Sequence, residues 1–325
     1  NGSGGAIDVL GDRVALLDGA SLDASGVGGG GTVRVGGDFQ GRNPEVPNAR
    51  QAVVADGAML RADALVSGDG GKVIVWADDS TRFRGTISAR GGESGGNGGF
   101  VEVSGKQRLG FSGNVDVSAP RGRKGSVLLD PNDLYVGAIQ GGATPDGADP
   151  FEAIDGSDYY VLASSLSGDA NYTLQAGHDV IFNASVAFGS AAGKTVAITA
   201  ANNIASTGFS ISTAGGALTL NSSTMALGAI DTGAGLLTIN NAGAVTQSGI
   251  FAGSGGLTKA GIGILTLSQV NTYTGTTTLG SGTLNLGGSL AAAGSLVVSG
   301  GTLDLQTHTQ QFAGVQQTSG TIQNG

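Results

Sequence analysis

Apolar and polar residues alternate along most of the chain in short runs. Examples are Thr-Val-Arg-Val at 32–35, Lys-Val-Ile-Val-Trp at 72–76, Phe-Val-Glu-Val at 100–103, Leu-Thr-Leu at 218–220 and Leu-Asn-Leu at 284–286. A period of two sends successive side chains to opposite faces of a strand. Gly, Asn, Asp and Ser bound the runs and mark turns. Gly, Ser, Thr and Asn are also poor helix formers. The pattern predicts an all-β chain of short strands.

The runs recur at fixed spacing. GKVIVWADDSTRFRGTISAR at 71–90 aligns with GFVEVSGKQRLGFSGNVDVS at 99–118, which sets Val73 on Val101, Val75 on Val103, Phe83 on Phe111 and Ile87 on Val115, each 28 residues apart. Ile7-Asp8-Val9 aligns with Val33-Arg34-Val35, and Val101 with Val127, at a spacing of 26. The step from Val33 to Val73 is 40, which predicts a coil carrying an inserted loop near 38–50. Later, GGALTL at 215–220, GLLTI at 235–239 and GGLTK at 255–259 step by 19–20, and GTLNL at 282–286 recurs as GTLDL at 301–305.

One such strand cannot bury its apolar side alone, whereas stacked copies bury it against each other. The expected fold is a parallel β-helix (β-solenoid), one elongated rod with loop excursions. A sandwich of short strands would have no fixed repeat length. Residues 1–130 read as coils of 26–28 residues and 161–325 as coils of 19–20. Between them, 131–160 reads as a loop-rich interruption, because Pro120, Pro131, Pro145 and Pro150 gather around it with Asp-Gly pairs. Neither end shows a recognisable polar cap, which is expected of a fragment of a longer protein.

Composition sharpens this. There are 62 glycines in 325 residues, far above the usual share of about 7%. Solenoid corners account for them, where chains crowd or φ turns positive. Hydrophobic residues at 39% argue against disorder. Without cysteine there is no disulfide scaffold or cysteine metal site. The net charge of −9 argues against nucleic acid as a partner. Residues 1–130 hold 14 Lys/Arg and 15 Asp/Glu, but 131–325 hold only 2 and 10, so the second part is nearly uncharged.

Little in the sequence points to chemistry. Asp78-Asp79 is the adjacent carboxylate pair, and strand neighbours face opposite ways. His178 and His308 lie too far apart for a helical metal pair. Gly92-Glu93-Ser94-Gly95-Gly96 matches a nucleophile elbow, but no helix is expected after it. No catalytic, cofactor-binding or metal-binding residue is expected, nor any cofactor. Trp76 with Arg82 and Arg84 is the candidate contact for a sugar or protein ligand. Asn171, Asn183 and Asn221 begin N-x-[ST] sequons and are candidate glycosylation sites. Thr272, Thr274, Thr276, Thr277 and Thr278 suggest a threonine ladder, which neighbouring coils do not repeat on this reading.

VWADDSTRFRGTISARGG, GGNGGFVEVSGK and GSVLLDPNDL resemble the shaft of filamentous haemagglutinin-type exoproteins of two-partner secretion. GGLTKAGIGILTLSQVNTYTGTTTLGSGTLNLGG at 255–288 resembles the passenger-associated strand repeat of autotransporters. The resemblance implies a right-handed parallel β-helix on the surface of a Gram-negative bacterium. It also implies an outer-membrane transporter as partner during secretion. The expected function is a non-enzymatic structural shaft of a large secreted adhesin or filament. Its outward partners would be a host-cell, matrix or neighbouring-cell surface, with head-to-tail or lateral self-association and a place in biofilm. One alternative is an adhesive module that binds glycans or proteins through its loops. Another is a β-helix polysaccharide-degrading enzyme using Asp78, Asp79, Asp130 and Asp133.

Overall fold

The computed structural model describes residues 2–138, 149–152 and 159–325. Residues 139–148 and 153–158 of the expected interruption lie outside the described residues. Two compact units, 1–176 and 177–325, follow one another along the chain. Each is a parallel β-helix with three sheet faces. Helical structure among the described residues amounts to short 3-10 turns such as Phe39–Gly41 and Ala163–Leu166.

In the first unit, the first face stacks Ala6–Val9, Thr32–Val35, Lys72–Ala77, Phe100–Gly105, Ser126–Leu129 and Asn171–Ala176. The second face stacks Arg13–Leu16, Gln51–Val54, Ser80–Phe83 and Arg108–Phe111, then Val161–Leu162 and Leu134–Gly137. The third stacks Ser21–Asp23, Met59–Arg61, Thr86–Ser88 and Asn114–Asp116. The register joins the residues that the repeats align: Ile7 with Val33, Val73 with Val101, Val101 with Val127, Phe83 with Phe111 and Ile87 with Val115. Val33, Val73, Val101 and Val127 make one inward column, and Phe83 stacks on Phe111 with ring centres 5.6 Å apart. Full burial of each such side chain contributes roughly 1.5–3 kcal/mol.

Gly31, Gly71, Gly99 and Gly125 enter the first face, one per coil. A Cβ on any of them would sit 2.0–2.1 Å from the carbonyl oxygen of the equivalent glycine one coil earlier. Those carbonyls accept the N–H groups of Thr32, Lys72, Phe100 and Ser126 at 2.9–3.0 Å. Close approach of coils therefore selects glycine here. A corner is tied by the buried carboxylate of Asp63, which accepts Ser88 Oγ (2.6 Å), Arg90 N (2.7 Å) and Arg90 Nη2 (3.1 Å).

In the second unit, the first face stacks Thr195–Ala200, Ala217–Ser222, Leu237–Asn241, Leu257–Ala260, Thr277–Leu279, Leu296–Val298 and Val315–Gln317. The second face runs from Asp179–Phe182 to Thr321–Gln323, and the third pairs Val186–Ala191, Ser210–Ala214, Ala229–Asp231 and Phe251–Ala252. Leu218, Leu237 and Leu257 form an inward column. In the next column Lys259 stands between Ile239 and Leu279 and is fully buried. Its Nζ donates to the carbonyls of Ala260 (2.6 Å) and Gly261 (2.8 Å). Burial pulls its pKa down to about 8.

The outward side corrects one expectation. Thr219, Thr238, Thr258 and Thr278 pair in sequence across four successive strands of the first face. Neighbouring coils do repeat a threonine. It recurs in line with Thr278 at the 19–20-residue period, within the LTL, LTI and LTK runs.

Candidate functional site

The first unit's main departure from regular coils leaves after Val35 and returns at Gln51. Asp38 starts it. Its Oδ1 accepts Phe39 N (2.8 Å) at the head of the 3-10 turn, and its Oδ2 accepts Arg34 Nη1 (3.0 Å) and Asn43 Nδ2 (2.8 Å). Burial pushes the Asp38 carboxyl up. The bonds from Asn43, Phe39 and Arg34, with the charge of Lys72, outweigh burial and bring it down to about 2.

The loop turns back over the outward side of the first face. Phe39 meets Phe100 edge-on with ring centres 5.7 Å apart, and Lys72 Nζ lies 5.3 Å from the centre of the Phe39 ring. Gln40, at φ +53, donates its main-chain N–H to both oxygens of Glu102 (3.2 Å each) and its side-chain amide to Asp130 Oδ2 (2.7 Å). Gly41 lies against Trp76, where a Cβ would come 2.5 Å from the indole nitrogen. Asn48 closes the loop by donating to Gly41 O (2.9 Å) and Asp78 Oδ1 (3.2 Å).

Strand alternation alone would leave Ile74, Trp76, Glu102 and Ser104 in water. All four are buried, Glu102 beneath Gln40 and Trp76 beneath Gly41 of the loop. Glu102 is 0% exposed, and burial pushes its carboxyl up to about 7. The Gln40 N–H and the Ser104 hydroxyl oppose that rise, the Asp130 charge adds to it, and Lys72 opposes it. Asp130 is also raised by burial, against the Gln40 amide and the charge of Arg42. Two carboxyl groups with raised pKa resemble an acid–base pair. Here the Gln40 backbone N–H bonds Glu102 and its side-chain amide bonds Asp130, so both carboxyl groups hold the loop.

Beside Phe39 lies an open groove of ≈ 710 Å³. Its floor is made of the glycine pairs 30–31, 70–71 and 98–99, and its walls of Thr32, Phe39, Lys72, Phe100 and Ser126. A glycine floor brings bare backbone within reach of a ligand.

The candidate contacts do not converge. Trp76 is 4% exposed, lies on the first face beneath the loop and donates Nε1 to Asp78 Oδ1 (3.2 Å). Arg82 is on the second face, also 4% exposed, and its Nη1 donates to Glu152 O (2.7 Å). Arg84 follows that strand half-buried. Among the sequon residues, Asn171 is half-buried and donates to the carbonyls of Lys124 and Gly125, Asn183 is exposed, and Asn221 is half-buried in a strand. Asp79 pairs with Arg108 at 3.0 Å. Sequence reasoning missed Glu102, Gln40 and Phe39. The signal available was the length of the Val33 to Val73 step, which called for a loop without saying where it folds.

No family model matches the chain. Over 119 residues, 37% of its length, the chain is 37% identical to the adhesin BmaC autotransporter of Brucella suis biovar 1 (strain 1330). That match spans 3% of the adhesin. An autotransporter adhesin thus shares sequence with a chain whose strands are stacked in parallel coils.

Proposed function

We propose that this chain is a structural shaft segment of a large secreted bacterial surface adhesin or filament, holding binding or effector regions away from the cell. The observation that carries the reading is the identity to an autotransporter adhesin in a chain built of parallel coils. The mechanism is mechanical. Backbone bonds between coils and inward aliphatic columns resist bending, and within a coil stack no strand edge is left bare. On this reading, which the resemblance to filamentous haemagglutinin-type shafts supports, export uses an outer-membrane transporter of the two-partner kind and the protein works at the extracellular surface. Host-cell, matrix or neighbouring-cell surfaces are then its outward partners. The closed Glu102–Asp130 pair supports a non-enzymatic role.

The test excises one coil, residues 72–99, from the parent protein, joining Gly71 to Phe100 in unchanged register. Equal surface amount by antibody labelling with undiminished attachment supports the shaft. Attachment lost at equal surface amount, or reducing ends released from a polysaccharide panel, overturns it.

A second reading makes the excursion at 38–50 itself adhesive. The open groove beside Phe39, Lys72 and Phe100 favours it. On that reading, deletion of 38–50 abolishes attachment while the coils remain folded.

A further inference from the structure

The first face of the second unit carries two adjoining outward columns of neutral polar groups. One is the threonine column Thr219, Thr238, Thr258 and Thr278. The other is Thr199, Asn221 and Asn240, linked by side-chain bonds: Asn221 Nδ2 donates to Thr199 Oγ1 (3.3 Å) and Asn240 Nδ2 to Asn221 Oδ1 (3.2 Å). Each amide in this ladder keeps a second N–H and further lone pairs for an outside partner.

At the end of these strands lies a groove of ≈ 460 Å³, lined in part by Thr199, Asn221, Ser223 and Asn240, with the 83%-exposed Ile262 at its rim. That volume falls in the range of small-ligand sites, roughly 300–1,000 Å³. Two further lining residues, Ser222 and Asn241, each carry a buried oxygen with no hydrogen-bond partner, Ser222 Oγ and Asn241 Oδ1. Asn241 is only 2% exposed, and its Nδ2 is already committed to the carbonyls of Gly243 and Ile264. Turning the amide over would set Oδ1 against those carbonyls, so the unmet acceptor belongs to the fold. Both oxygens lie below the groove surface, out of a ligand's reach.

No residue lining the groove is charged. Lys259, in the same region, points inward and gives its protons to turn carbonyls. The groove therefore holds no cation for a phosphate, sulfate or carboxylate, and no carboxylate for a metal ion. It holds amides, hydroxyls, threonine methyls and Ile262. That mixture suits a ligand whose donors and acceptors alternate around an apolar C–H face, repeated at short intervals along the coil axis. We infer that this face binds a neutral polysaccharide, whose hydroxyl groups lie along the Thr and Asn columns. This goes beyond the shaft reading and does not rest on it.

The experiment titrates the whole chain with neutral hexasaccharides (gluco-, manno- and xylo-configured) and with polygalacturonate as the charged comparison. Binding is followed by calorimetry at low and high salt. The expected result is saturable binding of at least one neutral hexasaccharide, unaffected by salt. Asn240→Lys and Thr238→Lys, both on the outward side, should weaken it at least about tenfold without lowering the unfolding temperature. Phe39→Ala, in the first unit's groove, should leave it unchanged. No binding by any neutral probe, salt-sensitive binding of polygalacturonate alone, or binding that falls with Phe39→Ala and survives Asn240→Lys, overturns the inference. None of these outcomes touches the coil-excision test of the shaft.

Discussion

The main-chain N–H of Gln40 lies 3.2 Å from both carboxyl oxygens of Glu102, 62 residues further along the chain. This contact fastens an inserted loop onto the outer side of a coil that forms later in the sequence. It also converts an outward strand position into a buried acid.

Glu102 makes loop attachment depend on pH. Its folded pKa of about 7 lies above the unfolded value near 4.3. The folded state therefore binds the extra proton between those values. The stabilisation is complete below about pH 4.3 and is lost as pH rises to about 7, on the order of 3 kcal/mol. Hydrogen exchange at residues 38–50 should be slower at pH 5 than at pH 8 once intrinsic rates are removed. Glu102→Gln should flatten most of that difference. An unchanged difference in the variant would show that Glu102 is not the titrating group.

Gly41→Ala should lift the loop. The residue has φ +61, and the added methyl would meet Trp76. A loss of about 1–3 kcal/mol is expected. Trp76 is the sole tryptophan, so its emission should shift to the red. Emission unchanged from the parent would mean that the loop accommodates the methyl.

Lys259 gives a second pH signature, of opposite origin. Its folded pKa of about 8 lies below the unfolded value near 10.4. The unfolded chain holds the extra proton between them, so stability rises from about pH 8 to pH 10.4 and is then level. Lys259→Met should abolish that rise in urea midpoints measured across the window. A rise that persists in the variant assigns the effect elsewhere.

Glycine substitutions should separate by coil contact. Gly99→Ala drives a methyl to 2.1 Å from Gly71 O and should cost several kcal/mol, on the order of other core overpacking. Gly5→Ala meets nothing within 4 Å and should change the unfolding midpoint little. Equal midpoints for the two variants would refute close packing as the reason for the glycine column.

The inward columns were readable from sequence because each coil repeats the same contact. Val73 and Val101 are alike because they occupy the same place one coil apart. Thr219, Thr238, Thr258 and Thr278 are equally present in the repeats, but the cluster Thr272 to Thr278 draws the eye along the chain, whereas the column runs across coils. Glu102 and Trp76 could not be read this way. Alternation marks both as outward, and only a loop folded back from a distant segment removes them from water. Trp76 and Arg82 are close in sequence, yet the corner between two faces separates them.

The steps between paired residues in the first unit are unequal: Ile7 to Val33, Val33 to Val73 and Val73 to Val101 span 26, 40 and 28 positions. Pairing between coils is indifferent to what the chain does before it returns. The junction between Val35 and Gln51 is therefore a splice site, where an epitope, enzyme or affinity tag can enter without moving the valines on either side, provided that the inserted chain still covers Trp76 and Glu102.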